Sequence, residues 1–218
     1  MRRTIGSTSM TFGIDRISPF FLLGGLLLAG TVAAAENTSS RSNDVTGAWT
    51  VEQAVASLKE EREPAVAFEE ATHSSLLTAP LIVRGILRFT PPSRLEKEVL
   101  EPYHERYVVE GDVVTFESER KRIKKSISLG DYPGLRGFVE AFRAGFTGDA
   151  AQLKQMYETV LDGNREKWTL RLHPRDPAGR SMVESIQFSG SDGRIETITI
   201  RAPDGDRSVM TLSRKRAP

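Results

Sequence analysis

From residue 81 to residue 90 the chain alternates: Leu81, Val83, Gly85, Leu87 and Phe89 fall on one side, Arg84, Arg88 and Thr90 on the other. That period of two predicts a strand with one buried face. The preceding stretch, Ala65 to Ser75, is also β-prone, and Pro91-Pro92 ends the second strand. Leu95, Lys97 and Val99 then alternate with Glu96 and Glu98 in a third. Tyr103 to Val109 and Val113 to Glu119 flank Glu110-Gly111-Asp112, which predicts a hairpin, and Lys121 to Leu129 continues the meander. Ahead of all these, Thr50 and Gln53 have capping-box spacing, and Val51, Ala54, Val55 and Leu58 predict a short amphipathic helix ending before Pro64.

The period changes in mid-chain. Leu135, Phe138, Val139, Phe142 and Phe146 make one apolar stripe opposite Arg136, Glu140 and Arg143, which predicts a strongly amphipathic helix. Gly148 ends it and Asp149 caps a second helix, expected to carry Leu153, Met156, Tyr157 and Val160 as far as an Asp162-Gly163-Asn164 turn. Period two returns at Trp168, Leu170 and Leu172. Val183 to Phe188, Ile195 to Arg201 and Arg207 to Ser213 follow as strands, separated by Ser191-Asp192-Gly193 and Pro203-Asp204-Gly205 turns. The fold class is therefore α+β and mainly antiparallel β, with ten or eleven strands, one helix before them and two inserted midway. An incompletely closed, strongly curved sheet covered by helices accommodates that order.

The N-terminus reads differently. Arg2, Arg3 and Arg16 precede the apolar run Phe20 to Gly30, and Thr31-Val32-Ala33-Ala34-Ala35 leads into polar residues. This is the pattern of a secretory signal peptide over residues 1–35, whether translation starts at Met1 or Met10. The apolar run is shorter than the roughly 20 residues of a membrane span, which disfavours a retained anchor. Residues 36–48, rich in Ser, Thr and Asn, read as a flexible lead-in, and 49–218 as one domain. Localisation to the periplasm as a soluble protein is expected.

Composition removes several chemistries. With 30 Lys plus Arg against 29 Asp plus Glu, the net charge is +1, which argues against a nucleic-acid partner. There is no cysteine, so thiol nucleophiles and cysteine metal sites are excluded, and His73, His104 and His173 are too scattered to ligate a metal from a single element. No glycine-rich phosphate loop appears, so no cofactor is expected. Glu69 with Glu70, or Glu96 with Glu98, could pair as acid and base, but the second pair simply alternates on a strand's polar face. A non-enzymatic role is expected. The densest charge cluster, Arg120-Lys121-Arg122-Ile123-Lys124-Lys125, has two readings: an edge strand guarded by positive charge, or a docking site for an acidic partner or anionic headgroups. The Phe stripe likewise reads as core or as the lid of a cavity.

Taken together, the pattern resembles the periplasmic outer-membrane lipoprotein carrier family, often called LolA-like. The resemblance covers roughly residues 50–213. It is carried by Phe68-Glu69-Glu70, by Gly85-Ile86-Leu87-Arg88-Phe89 running into Pro91-Pro92, and by the mid-chain helix pair. The closing series carries the rest: Trp168 to Pro174, Ile186-Gln187-Phe188 and Asp192-Gly193-Arg194-Ile195. It implies a half-open barrel of about 11 strands with a helical lid, acting as a monomer. Such a protein receives lipoprotein acyl chains, or another hydrophobic lipid, from an inner-membrane exporter and hands them to an outer-membrane receptor. The cavity would be lined from the sheet by Leu81, Val83, Leu87, Phe89, Leu95, Val99, Trp168, Leu170 and Phe188. From the lid it would be lined by Leu135, Phe138, Val139, Phe142 and Phe146. Arg120, Lys121, Arg122, Lys124 and Lys125 would dock partners. The chain departs from the family pattern in one place that bears on lid closure: the basic residue expected just before the proline aligns with Pro91, leaving Arg88 and Arg94 nearby. This departure marks a divergent member. The alternative left open is a non-catalytic structural or adaptor domain of an envelope complex.

Overall fold

Two meanders meet along the first and last strands. In the computed structural model, which describes residues 49–60 and 63–213, β1 (Ala65–His73), β2 (Leu81–Thr90), β3 (Arg94–Glu101), β4 (Glu105–Glu110), β5 (Val113–Ser118) and β6 (Ile123–Ser128) pair in succession. A second run comprises β7 (Tyr157–Asn164), β8 (Lys167–Pro174), β9 (Ser185–Ser191), β10 (Arg194–Arg201) and β11 (Arg207–Ser213). β11 pairs antiparallel with β1, so all eleven strands form one sheet whose free edges are β6 and β7. These edges are consecutive in the chain. The segment joining them holds α2 (Pro133–Thr147) and α3 (Ala150–Met156), placed where a closed barrel would have its last ladder. The expected half-open barrel with a helical lid is the observed architecture.

Two bulges help bend the sheet, one between β2 and β3 at Arg84/Gly85 and one between β9 and β10 at Ile195/Thr197. A glycine stands at each. A Cβ on Gly85 would lie 1.8 Å from the Glu98 carbonyl oxygen, and one on Gly190 would lie 1.8 Å from that of Arg194. The curvature gathers Phe68, Val83, Val99, Trp168, Leu170, Phe188, Ile198, Ile200 and Met210 into a core that α2 also joins.

Before the sheet, α1 (Val51–Glu60) starts with the reciprocal cap the sequence suggests. Thr50 N donates to Gln53 Oε1 at 3.0 Å and Gln53 N donates to Thr50 Oγ1 at 3.3 Å. Its buried face packs on α2, α3 and β10.

The structure corrects several expectations. The second inserted helix stops at Met156; Tyr157 and Val160 belong to β7, because an unpaired edge of β8 is available and Tyr157 to Asn164 ladder onto it. Tertiary pairing there overrides the helical spacing. β7 runs through Asp162-Gly163-Asn164, and the turn falls after it, where Asn164 Oδ1 accepts from the backbone N–H groups of Glu166 and Lys167 at 3.0 Å each. An unanticipated α4 (Pro177–Met182) begins at Asp176, whose carboxylate caps Gly179 N at 2.7 Å. Arg120 to Arg122 form a turn, and β6 starts only at Ile123. Residues 1–48, on which the signal-peptide and lead-in readings fall, lie outside the described residues.

Candidate functional site

α2 is built to lie across the open side of the sheet. Pro133 sets its first turn, Gly148 ends it at φ +84°, and the stripe predicted from spacing faces inward. Phe146 stacks on Phe89 of β2 with ring centroids 5.1 Å apart, and Phe142 meets Phe188 of β9 edge-on at 5.4 Å. One helix therefore touches both halves of the sheet. Tyr157 at the start of β7 adds a hydrogen bond from its hydroxyl to the Gly137 carbonyl at 3.0 Å.

Beneath α2 lies a cavity of about 120 Å³. Of the residues expected to line one, Leu87, Phe89, Leu95, Phe138, Val139, Phe142 and Phe146 do so. Val83, Val99, Leu135 and Trp168 sit in the surrounding core, with Leu81 packed against it. Leu170 and Phe188 line a second, smaller space of about 10 Å³ beside α1 and α3. Sequence reasoning missed Tyr107, Val109, Ile198, Ile200, Ser208 and Met210, which line the main cavity from β4, β10 and β11. The alternation of Ile198 with Ile200 and of Ser208 with Met210 carried the signal.

The rim is tied to the helix by arginines that α2 itself supplies. Arg143, only 11% exposed, donates to the Ser93 carbonyl at 3.0 Å, the Gly111 carbonyl at 2.6 Å and Glu140 Oε1 at 2.7 Å. Arg136 holds the Asp112 carboxylate at 2.5 and 2.7 Å. Both arginines reach the turns at one end of β2 to β5.

The sheet also carries charge where apolar residues are expected. Lys97 alternates with Leu95 and Val99 on the inner face, where it lines the cavity and bonds Glu70 of β1, which has no exposed surface. Glu70 also accepts a hydrogen bond from Ser208. Nearby, Glu105 accepts from Tyr107 OH at 3.0 Å and Ser118 Oγ at 3.1 Å, with Lys121 Nζ at 3.6 Å. Burial pushes the Glu70 carboxyl up and the Lys97 ammonium down, each opposed by the other's charge. Burial, together with Glu105, also pushes the Tyr107 phenol well up, so it remains a hydroxyl. On the outer face Glu96 joins Arg88, Arg94 and Arg106 at 3.0–3.3 Å; burial alone would raise its carboxyl, but the arginines hold it below the usual range.

The basic segment is divided in the structure. Lys121 turns toward Glu105 and Lys124 pairs with Glu117 at 2.6 Å, whereas Arg120 lies over the Tyr103 ring and Arg122 and Lys125 are exposed. Among the described residues no cluster of three or more His, Asp or Glu converges to hold a metal ion, and no helix is long and apolar enough to cross a membrane.

Comparison with known proteins adds the following. The model of the family described as outer membrane lipoprotein carrier protein LolA-like matches residues 25–215. Curated protein sequences give no match. Among solved structures, the chain is similar to a LolA superfamily protein from Nitrosomonas europaea, at 14% identity and TM-score 0.42 over 78% of this chain and 96% of that one. It is also similar to the MucA/MucB complex of Pseudomonas aeruginosa, at 11% and 0.40 over 77% and 58%. A third similarity is to LprF from Mycobacterium bovis, at 12% and 0.32 over 77% and 93%.

Proposed function

We propose that this chain, which belongs to the LolA-like family of outer-membrane lipoprotein carrier proteins, is a periplasmic carrier that takes the acyl chains of a lipoprotein or related lipid under α2 and moves them from inner to outer membrane. Members of that family are binding or carrier proteins rather than enzymes. The observation that carries the reading is the cavity between α2 and the inner face of the open sheet, roofed by Phe138, Phe142 and Phe146.

A cavity of about 120 Å³ is smaller than the roughly 150 Å³ that admits a benzene. Loading an acyl chain therefore requires α2 to move. Burying a chain of about 16 carbons gains roughly 12 kcal/mol gross at ~0.8 kcal/mol per methylene. Unseating three phenylalanines costs about 1.5–3 kcal/mol each, so a good part of that gain is returned when α2 closes again. Binding is then tight enough to extract a chain and reversible enough to release it. Arg143 supplies the closure that the family places on the strand: its guanidinium reaches back to Ser93, next to the proline pair where the family's own basic residue is replaced.

Export through residues 1–35 delivers the carrier to the periplasm; sequencing the exported protein from Glu36 checks this, and a retained Met1 or Met10 contradicts it. The exposed Arg120, Arg122 and Lys125 meet acidic surfaces of the inner-membrane exporter or outer-membrane receptor. Changing all three to Gln slows transfer at low salt and flattens its salt dependence, because screening over about 10 Å at 0.1 M already weakens such steering. Unchanged rates would leave the turn as a solvated edge.

The central test is transfer of a labelled lipoprotein from inner- to outer-membrane vesicles. Phe142→Asp places a charge in the roof and abolishes transfer while the purified variant keeps its far-UV spectrum. Transfer at the normal rate would refute the reading.

A further inference from the structure

We propose that the polar floor of the cavity is a subsite for a hydroxyl group, so that among the lipids the cavity takes it favours an apolar chain or ring system bearing an alcohol over one of the same size without it. This rests on the reading of the cavity as the lipid site and names the chemistry of what it takes.

A plain alkyl chain needs a floor like the rest of the lining. Strands β1, β3, β4 and β11 instead bring Glu70, Lys97, Tyr107 and Ser208 together, three of them lining the cavity. Stability does not account for this arrangement. A buried ion pair loses several kcal/mol of hydration per ion, and apolar residues of the same volume are often as stable or more so. The polarity of the contacts indicates what the floor can recognise. Ser208 donates its proton to Glu70 and Tyr107 donates its own to Glu105 at 3.0 Å. With those protons committed, the two hydroxyl oxygens offer the cavity lone pairs. Directly across the β1–β11 ladder from Ser208, the buried Thr72 hydroxyl has no hydrogen-bond partner among the described residues. Beside the Lys97 ammonium, which donates, the floor therefore presents the acceptor oxygens of Ser208 and Tyr107, and it suits a group that brings a proton of its own.

Charge decides which donor. Glu70 and Glu105 are matched by Lys97 and Lys121. A carboxylate brings no proton and adds a third negative charge, whereas an ammonium adds a third positive charge with no carboxylate to answer it. Esters and ethers accept only. A neutral donor remains, and an alcohol is its smallest form for a space of about 120 Å³.

The test compares tetradecan-1-ol with 1-methoxytridecane, which has the same number of heavy atoms and no proton to donate, as displacers of diphenylhexatriene from the full exported chain. The wild type is expected to prefer the alcohol about five- to tenfold, the scale of one hydrogen bond. Ser208→Ala with Tyr107→Phe brings the ratio near one and leaves affinity for the ether within twofold. Should the double variant fail to fold, Ser208→Ala alone is expected to lower the ratio at least twofold. A wild-type ratio near one, or a ratio that survives the substitutions, with the ether still bound, overturns the hydroxyl subsite and leaves the carrier reading standing. If neither compound displaces the probe, the carrier reading falls and the subsite with it.

Discussion

Glu70 and Lys97 pair in a buried space where desolvation pushes the carboxyl up and the ammonium down, and each partner's charge opposes the other's shift. Lys97→Met is accordingly expected to destabilise the protein by about 3–5 kcal/mol, because Glu70 is left buried without its partner. Adding Glu70→Leu recovers most of the loss; urea denaturation measures both, and a double variant no better than the single would contradict the pairing. At the surface, His104 sits 3.1 Å from Glu98 and 2.8 Å from Glu119, and its hydrogen bonds to those two carboxylates raise its pKa. A raised folded-state pKa means that the stabilisation is fully present below the unfolded value of about 6.5 and is lost as pH rises through the higher folded value. His104→Gln should thus cost up to about 1 kcal/mol at pH 5.5 and close to nothing at pH 8.5, the small size following from its exposure. An equal cost at both pH values would rule out a protonated bridge. Neither cluster was legible in the sequence. The alternation that puts Lys97 on the inner face is visible from residue 95 to residue 99, but its partners come from other strands, and Ser208 meets Glu70 across 138 residues. Register, which no local pattern contains, decides such contacts.

Among the elements, α2 carries the most function and was the most legible, because five apolar residues at helical spacing have only one face to bury. Its attachment was not legible: Arg136 and Arg143 read as the solvent side of the helix, yet they fasten it to the turns after β2 and β4. Arg143→Ala removes three hydrogen bonds from a side chain that is almost fully covered. The expected result is a helix that opens more readily, giving faster lipid uptake and slower release on the closing step, measured with a fluorescent acyl probe. Unchanged uptake and release would mean that the phenylalanine contacts alone hold the lid. The neighbouring elements show why spacing can mislead. Tyr157 and Val160 fit a helix, but an edge strand offers Tyr157–Asn164 a full ladder with β8, and seven residues of α3 give little cooperative resistance. α4 is shorter still, and its signal, Asp176 before Pro177, is a cap with almost no helix behind it.

For the whole molecule, hydrophobic alternation and turn chemistry were enough to anticipate an open antiparallel sheet with helices inserted midway. The order of strands follows from one further fact, that β1 and β11 pair, which leaves β6 and β7 as edges and fixes α2 across the gap between them. The cavity is a consequence of that topology, and its contents are the account's central claim. The most direct measurement is photo-crosslinking of a lipoprotein whose acyl chains carry a diazirine, loaded onto the exported protein and mapped by peptide mass spectrometry. The account predicts adducts on Phe138 to Phe146 of α2 and on the inner-face residues Leu87, Leu95, Ile198 and Met210. Adducts confined to the outer face around Glu98 and Arg106, or none above an unloaded control, would contradict it.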